Sequence, residues 1–187
     1  MKRLKAFDNL VEALESLPTI GKKTALRLAY SMAVEDGFGA MKLSHAIENA
    51  VNTIRTCSRC HNMSEDELCY ICSDGTRDSS KICIVQSAKD IISIEESGEF
   101  GGLYYIINKL EYLDNIHLRK MIKDVDEIIF AFPPSIATDT MILYIEDKLI
   151  DTDIKFTKIA QGVPTGIGLD SIDSISLSRA FENRVGV

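Results

Sequence analysis

No stretch of the chain approaches the ~20 consecutive apolar residues of a membrane-spanning helix, which excludes a helical membrane protein. No signal-peptide core follows the basic start Met1-Lys2-Arg3-Leu4-Lys5, because Asp8, Glu12 and Glu15 interrupt the apolar positions. A cytoplasmic location is therefore expected. Positive charge is in short supply: 21 Lys and Arg against 28 Asp and Glu leave a net charge of −7. That balance argues against indiscriminate nucleic-acid binding by the chain as a whole. Histidine is scarce, and His45, His61 and His117 are scattered, so no His-based catalytic arrangement stands out. The loop Gly162-Val163-Pro164-Thr165-Gly166 is too short for a phosphate-binding loop and lacks its lysine, so a subunit contact is the role expected of it. Repeats and low-complexity segments are absent.

What remains is an ordinary globular composition, with 45% hydrophobic and 26% charged residues in 187. A chain of this length buries roughly 70% of its unfolded surface, enough for a real core. The charge is unevenly spread: residues 1–55 carry a net +2, residues 56–80 a net −3 and residues 81–187 a net −6. A polyanion would therefore meet the N-terminal segment.

That segment reads as helical. Leu10, Val11, Leu14 and Leu17 fall on one face at helical spacing, as do Ala25, Leu28, Ala29 and Met32. A third stripe runs through Ile47, Ala50, Val51 and Ile54, with Ser44 as its expected N-cap. Pro18-Thr19-Ile20-Gly21 separates the first two helices, and Gly37-Phe38-Gly39 the second from the third. Residues 57–78 lose the helical period and read as loop-rich. From Lys81 strands and helices alternate: strands over 82–85, 103–107, 128–132 and 154–159, helices over 88–97, 118–123 and 138–149, with Gly98 closing the first helix. The pattern predicts a small α/β domain with a parallel central sheet, then a short helix over 177–183.

Cys57-Ser-Arg-Cys60 and Cys69-Tyr-Ile-Cys72 form a CxxC pair separated by eight residues. Two such turns supply the four thiolates of a closed tetrahedral zinc site, in which the metal holds a loop instead of doing chemistry. Paired disulfides and a redox CxxC are the alternatives; an intracellular chain and two motifs this close speak against them. Cys83, between Ile82 and Ile84, reads as a buried core thiol.

The segment Leu17-Pro18-Thr19-Ile20-Gly21-Lys22-Lys23-Thr24-Ala25 resembles the helix-hairpin-helix motif of DNA-binding proteins, usually L-P-G-I-G-x-x-x-A. Gly21 opens the second helix, where free backbone N–H groups and the helix dipole favour a phosphate. Lys22, Lys23 and Arg27 add positive charge there. Such a site grips the backbone and reads no bases; a plain helical hairpin with a solvated basic end is the competing reading. Thr19 departs from the motif, standing where its first glycine falls.

A helix-hairpin-helix, a four-cysteine motif and an α/β domain, in that order, resemble the RecR family of bacterial recombination mediators. Further likeness lies in Lys81-Ile-Cys-Ile-Val-Gln-Ser-Ala-Lys-Asp90, which is similar to the opening of the family's Toprim domain. Ser97-Gly-Glu-Phe-Gly-Gly-Leu-Tyr104 and Ile159-Ala-Gln-Gly-Val-Pro-Thr-Gly166 are also family-like. The resemblance implies a helix-hairpin-helix domain over 1–55, a zinc motif over 56–78, a Toprim domain over 79–162 and a C-terminal segment over 163–187 that makes a subunit contact. It implies a homo-oligomeric DNA clamp, a ring tetramer or a dimer. With RecO, and in some bacteria RecF, such a clamp helps load RecA onto gapped or single-stranded DNA, and it is associated with the nucleoid when on DNA.

Catalytic Toprim domains need a glutamate after the first strand and an Asp-x-Asp after a later one, to bind magnesium for phosphoryl transfer. Here Gln86 follows the first strand, and Ala131-Phe132-Pro133-Pro134-Ser135 holds no acidic pair. Ser135-Ile-Ala-Thr-Asp139 replaces the T-x-E-G-E segment usual in relatives. A non-catalytic domain is expected; a divergent Toprim nuclease acting through Asp90 or Asp139, or a pure protein-interaction module, are the alternatives.

Overall fold

The structure, a computed structural model, describes residues 4–160, Val163, Gly166 and residues 168–182, and the chain divides between Ile54 and Arg55 into two units.

The first unit is helical. α1 (Lys5–Glu15) and α2 (Lys22–Tyr30) pack against each other through Ala25 and Ala29, one turn apart and fully buried, small enough to let the helices approach closely. α2 then widens into a π-helical turn, Ser31–Glu35. α3 (Gly37–Thr53) follows, and it corrects the expected boundary. Gly37-Phe38-Gly39 forms its first turn and Ser44 lies inside it, because the Asp36 carboxylate accepts from Gly39 N at 2.8 Å and caps the helix well ahead of Ser44. The stripe Ile47, Val51 and Ile54 does not enter a core: all three are exposed, as are Met41 and Phe38, the last 85% exposed.

The second unit begins with a two-residue hairpin, β1 (Arg55–Thr56) antiparallel to β2 (Met63–Ser64), and a single helical turn, α4 (Tyr70–Ser73). There follow β3 (Asp78–Val85), α5 (Ala88–Ser97), β4 (Gly102–Ile106), α6 (Asn115–Met121), β5 (Glu127–Phe130), α7 (Ile136–Lys148) and β6 (Lys155–Lys158). The four strands β3 to β6 form one parallel sheet in the order β4-β3-β5-β6, as the alternating pattern predicts. β3 and β5 are central, and their side chains are those of a sheet buried on both faces: Ile82, Ile84, Val85, Ile128 and Phe130 are all buried, with Cys83 among them. Burial pushes the Cys83 thiol up to about 12, so it stays protonated. α5 ends at Gly98, whose φ of 70° is the left-handed closure expected of it. A last helix, α8 (Ser174–Glu182), starts three residues before the predicted position; Asn183 and most of the 162–166 loop lie outside the described residues.

One ion pair ties the sheet's β4 side to the segment entering β3. Arg77 grips both carboxylate oxygens of Glu95 on α5, and Tyr104 OH donates to Glu95 Oε1 at 2.7 Å. Arg77 also donates to Gly102 O at 3.3 Å. The Arg77 side chain is largely buried, so Glu95 is its necessary counter-charge. The Arg77 hydrogen bonds hold the Glu95 carboxyl below its usual range, and Tyr104 adds to this. A carboxyl lowered on folding stabilises above its unfolded pKa and loses that contribution as pH falls through the folded value. Glu95→Gln is expected to lower stability in urea unfolding by about 2–3 kcal/mol at neutral pH, with the difference from the parent shrinking as pH drops below ~4.

Candidate metal centre and nucleic-acid interface

Cys57 and Cys60 sit in the turn that joins β1 to β2; Cys69 is the residue before α4 and Cys72 lies within it. The hairpin turn closes through Cys57 N to Asn62 O at 2.7 Å and His61 N to Cys57 O at 3.1 Å. His61 takes a φ of 66°, left-handed for a residue with a Cβ. The two halves meet through Ser58 N to Glu67 O at 2.9 Å and Cys69 N to Cys57 Sγ at 3.3 Å.

All four sulfurs are buried and lie within 4.8 Å of one another, with Cys60 Sγ and Cys69 Sγ 3.5 Å apart. A tetrahedral zinc with Zn–S bonds of ~2.3 Å needs sulfurs about 3.8 Å apart. The donor set and the spacing fit one structural zinc ion, and no disulfide joins these cysteines. Among the described residues this is the one group of three or more ligating side chains near enough to share an ion. The surroundings of the cluster act on its thiols in opposite directions. Hydrogen bonding with Cys72, then burial, pushes the Cys60 thiol up, and burial pushes Cys69 up. At Cys57 burial pushes the same way but is outweighed by N–H groups of Cys69, Cys60 and Arg59, which bring it down to about 7.

Sequence reasoning missed what holds this knuckle to the sheet. Ile106 N on β4 donates to Cys60 O at 3.0 Å. His117 on α6 bonds Ser58 O through Nε2 and Tyr105 OH through Nδ1, both at 2.9 Å. A carbonyl can only accept, so Nε2 carries the proton and Tyr105 donates to Nδ1. The His61 ring stacks on His117 and leans on Tyr105, each at a centroid distance of 5.0 Å. His61 is thus a packing residue of the knuckle; no local sequence signal links it to a histidine so far along the chain.

The hairpin of the first unit is as expected in place and unusual in conformation. Gly21 precedes α2 as its N-cap with φ −88°, ψ 166°, and no side chain caps the helix. Any residue can adopt that backbone, and a Cβ on Gly21 would meet nothing within 4 Å. The fold therefore does not require glycine there. Thr19 is the reverse case: exposed and β-branched, it takes a φ of 68°, the conformation the motif's glycine adopts without strain. Lys22, Lys23 and Arg27 are exposed, and among the described residues none has a carboxylate within 4.0 Å.

Among the described residues the carboxylates considered for catalysis, Asp90 and Asp139, belong to no group of three or more side chains near enough to share a metal ion. Asp90 Oδ2 accepts from Ser87 N at 2.8 Å and Ser87 Oγ at 2.9 Å, making it the reciprocal cap of α5. Asp139 lies in the first turn of α7 and lines a groove between α7 and β6.

Four family descriptions match the chain in order: the RecR helix-hairpin-helix over residues 7–51, the RecR four-cysteine zinc finger domain over 54–74, a Toprim domain over 80–160, and the RecR C-terminal region over 162–185. The chain belongs to the RecR family. It is 54% identical over 187 residues to the recombination protein RecR of a Nitratiruptor species, covering 99% of this chain and 98% of that protein. It is 47% identical to RecR of Helicobacter pylori, over 97% of this chain and 95% of the relative. With RecR of Campylobacter jejuni subsp. doylei it shares 45% identity over 100% of this chain and 99% of that one.

The zinc site makes two expectations testable. Each ligand must lose its proton to bind the metal, so zinc should pass to a chromogenic chelator much faster at about pH 6 than at about pH 8. Cys60→Ser should leave well under one zinc per chain by elemental analysis and cost the second unit at least ~3 kcal/mol. In the hairpin, Thr19→Gly should relieve the left-handed strain and raise amide-exchange protection of α1 and α2 by about 1 kcal/mol.

Proposed function

We propose that this RecR-family chain is a non-catalytic recombination mediator that grips DNA through its hairpin as a homo-oligomeric clamp, and that with RecO, joined by RecF in bacteria that use it, it helps load RecA onto gapped or single-stranded DNA. The observation that carries the reading is the start of α2. Its first N–H groups are uncapped, Gly21 leaves open space in front of them, and Lys22, Lys23 and Arg27 stand around them without counter-charges among the described residues. Phosphate is the ligand that uses both the helix dipole and the cations.

Two further features support this reading, one for the clamp and one for the absence of turnover. The first unit fully buries only two alanines among its described residues while Phe38, Met41, Ile47 and Val51 stay exposed, a surface suited to a subunit contact. Such a contact would set several hairpins on one DNA. The acidic second unit, with Gln86 at the position of a metal-binding glutamate and Asp90 engaged as a helix cap, supports a role without turnover.

The reading is tested by fluorescence anisotropy of a gapped duplex across a salt series. Wild-type binding should weaken steeply with salt, and Lys22→Glu/Lys23→Glu should weaken it by at least about tenfold and flatten the salt slope. Absence of wild-type binding at low salt, with and without RecO, would leave a protein-interaction module as the better account.

A further inference from the structure

The two CxxC turns of the zinc knuckle satisfy the carbonyl after their first cysteine in different ways. In the Cys69–Cys72 turn the partner is local, because Ser73 Oγ donates to Tyr70 O at 3.3 Å. In the Cys57–Cys60 turn no neighbour in the chain does so. Among the described residues Ser58 O has a single partner, His117 Nε2 on α6, which donates to it at 2.9 Å from 59 residues away.

That bond fixes more than a carbonyl. The peptide joining Ser58 to Arg59 is trans, so its C=O and N–H point to opposite sides of the chain. With the carbonyl held on the α6 side, the Arg59 N–H faces the other way and donates to Cys57 Sγ. The same sulfur accepts from Cys69 N at 3.3 Å and from the Cys60 N–H. Four thiolates carry more negative charge than one zinc ion cancels, and N–H groups aimed at sulfur offset the remainder. Ser58 is exposed, so water would otherwise compete for its carbonyl and leave the peptide less firmly oriented.

His117 is itself held from three sides. Tyr105 OH donates to Nδ1 at 2.9 Å, which leaves Nε2 as the protonated nitrogen. Asp114 Oδ1 accepts from Ile116 N at 2.9 Å and His117 N at 3.0 Å, fixing the start of α6. The His61 ring stacks on the imidazole, with centroids 5.0 Å apart. His117 lies outside the group of four cysteines that can share an ion, so it acts on the metal only through the turn.

We propose that His117 is a positioning residue of the zinc site: through Ser58 O it sets the peptide that aims the Arg59 N–H at Cys57 Sγ, and so slows loss of the metal. Groups that orient metal ligands from outside commonly change metal affinity by about 10–100-fold when removed. The inference concerns the metal alone and does not depend on the DNA reading.

The test compares two amides that differ by one methylene in the zinc-loaded full chain. His117→Gln keeps an N–H within reach of Ser58 O, and His117→Asn does not; both lose the stack on His61. Zinc should pass to a chromogenic chelator at least about tenfold faster from the Asn variant than from the parent, and within about threefold of the parent rate from the Gln variant. Arg119→Ala, which cuts the ion pair of α6 with Asp151 and leaves the knuckle untouched, should release zinc at the parent rate. A spectroscopic readout follows the peptide itself. With an NMR-active cadmium isotope in place of zinc, the Arg59 amide proton should couple to the metal through the N–H···S bond in the parent and lose that coupling in His117→Asn. Parental release from the Asn variant, or an Arg59 coupling that survives in it, overturns the proposal. Equally fast release from Gln and Asn variants overturns it in favour of the His61 stack, and equal acceleration by Arg119→Ala overturns it in favour of α6 stability.

Discussion

Four buried thiols within 4.8 Å set the condition on which the β4 side of the second unit depends. Ionised together in a dry interior they would repel each other severely; protonated, they offer only weak hydrogen bonds. A zinc ion turns that repulsion into four bonds, and so fixes a segment with too little apolar surface to fold by burial alone. The consequence reaches beyond the knuckle. Cys60 O receives Ile106 N, and Ser58 O receives His117 Nε2, so the metal-ordered turn supplies partners to β4 and α6. β4 is the outer strand on that side of the sheet, and the knuckle laid against it protects an edge that would otherwise recruit other strands.

How much of this is legible in the sequence depends on the range of the interaction. The cysteine spacing is local and states its ligand set outright, and the parallel sheet announces itself in Ile82-Cys83-Ile84-Val85 and the apolar runs after it. Where a side chain reverses the usual meaning of a residue, the local pattern misleads. Gly37 and Gly39 look like punctuation, yet the Asp36 cap makes them a first helical turn. The π-helical widening at Ser31–Glu35 has no sequence signature. α7 presents apolar residues to both sheet and solvent, so its periodicity does not say which side is core. The Tyr105, His117 and Ser58 link joins three elements far apart in sequence, and only the assembled sheet brings them together.

Thr19 and Gly21 show how the hairpin divides its tasks. Thr19 sits where the turn demands a left-handed backbone, at an expense of about 1–2 kcal/mol for a β-branched residue, and among the described residues its side chain has no hydrogen bond to recover it. Gly21 sits where the backbone demands nothing and space is open. On the proposed reading, a glycine the fold does not need leaves room for the phosphate that the uncapped N–H groups behind it would bind.

The same unit is poorly able to stand alone. With Ala25 and Ala29 as its fully buried side chains among the described residues, it removes little apolar surface from water, and the α3 stripe that periodicity marks as a core face is left outside. On the proposed reading that deficit and the net charge of −7 have one resolution. A single hairpin with three cations on an acidic chain binds phosphate weakly. Subunits joined through the exposed face of α3 would present several hairpins at once, and each contact after the first would form at a high effective concentration. Affinity would then come from assembly more than from any one site, which is the arrangement a clamp that must also release its DNA requires.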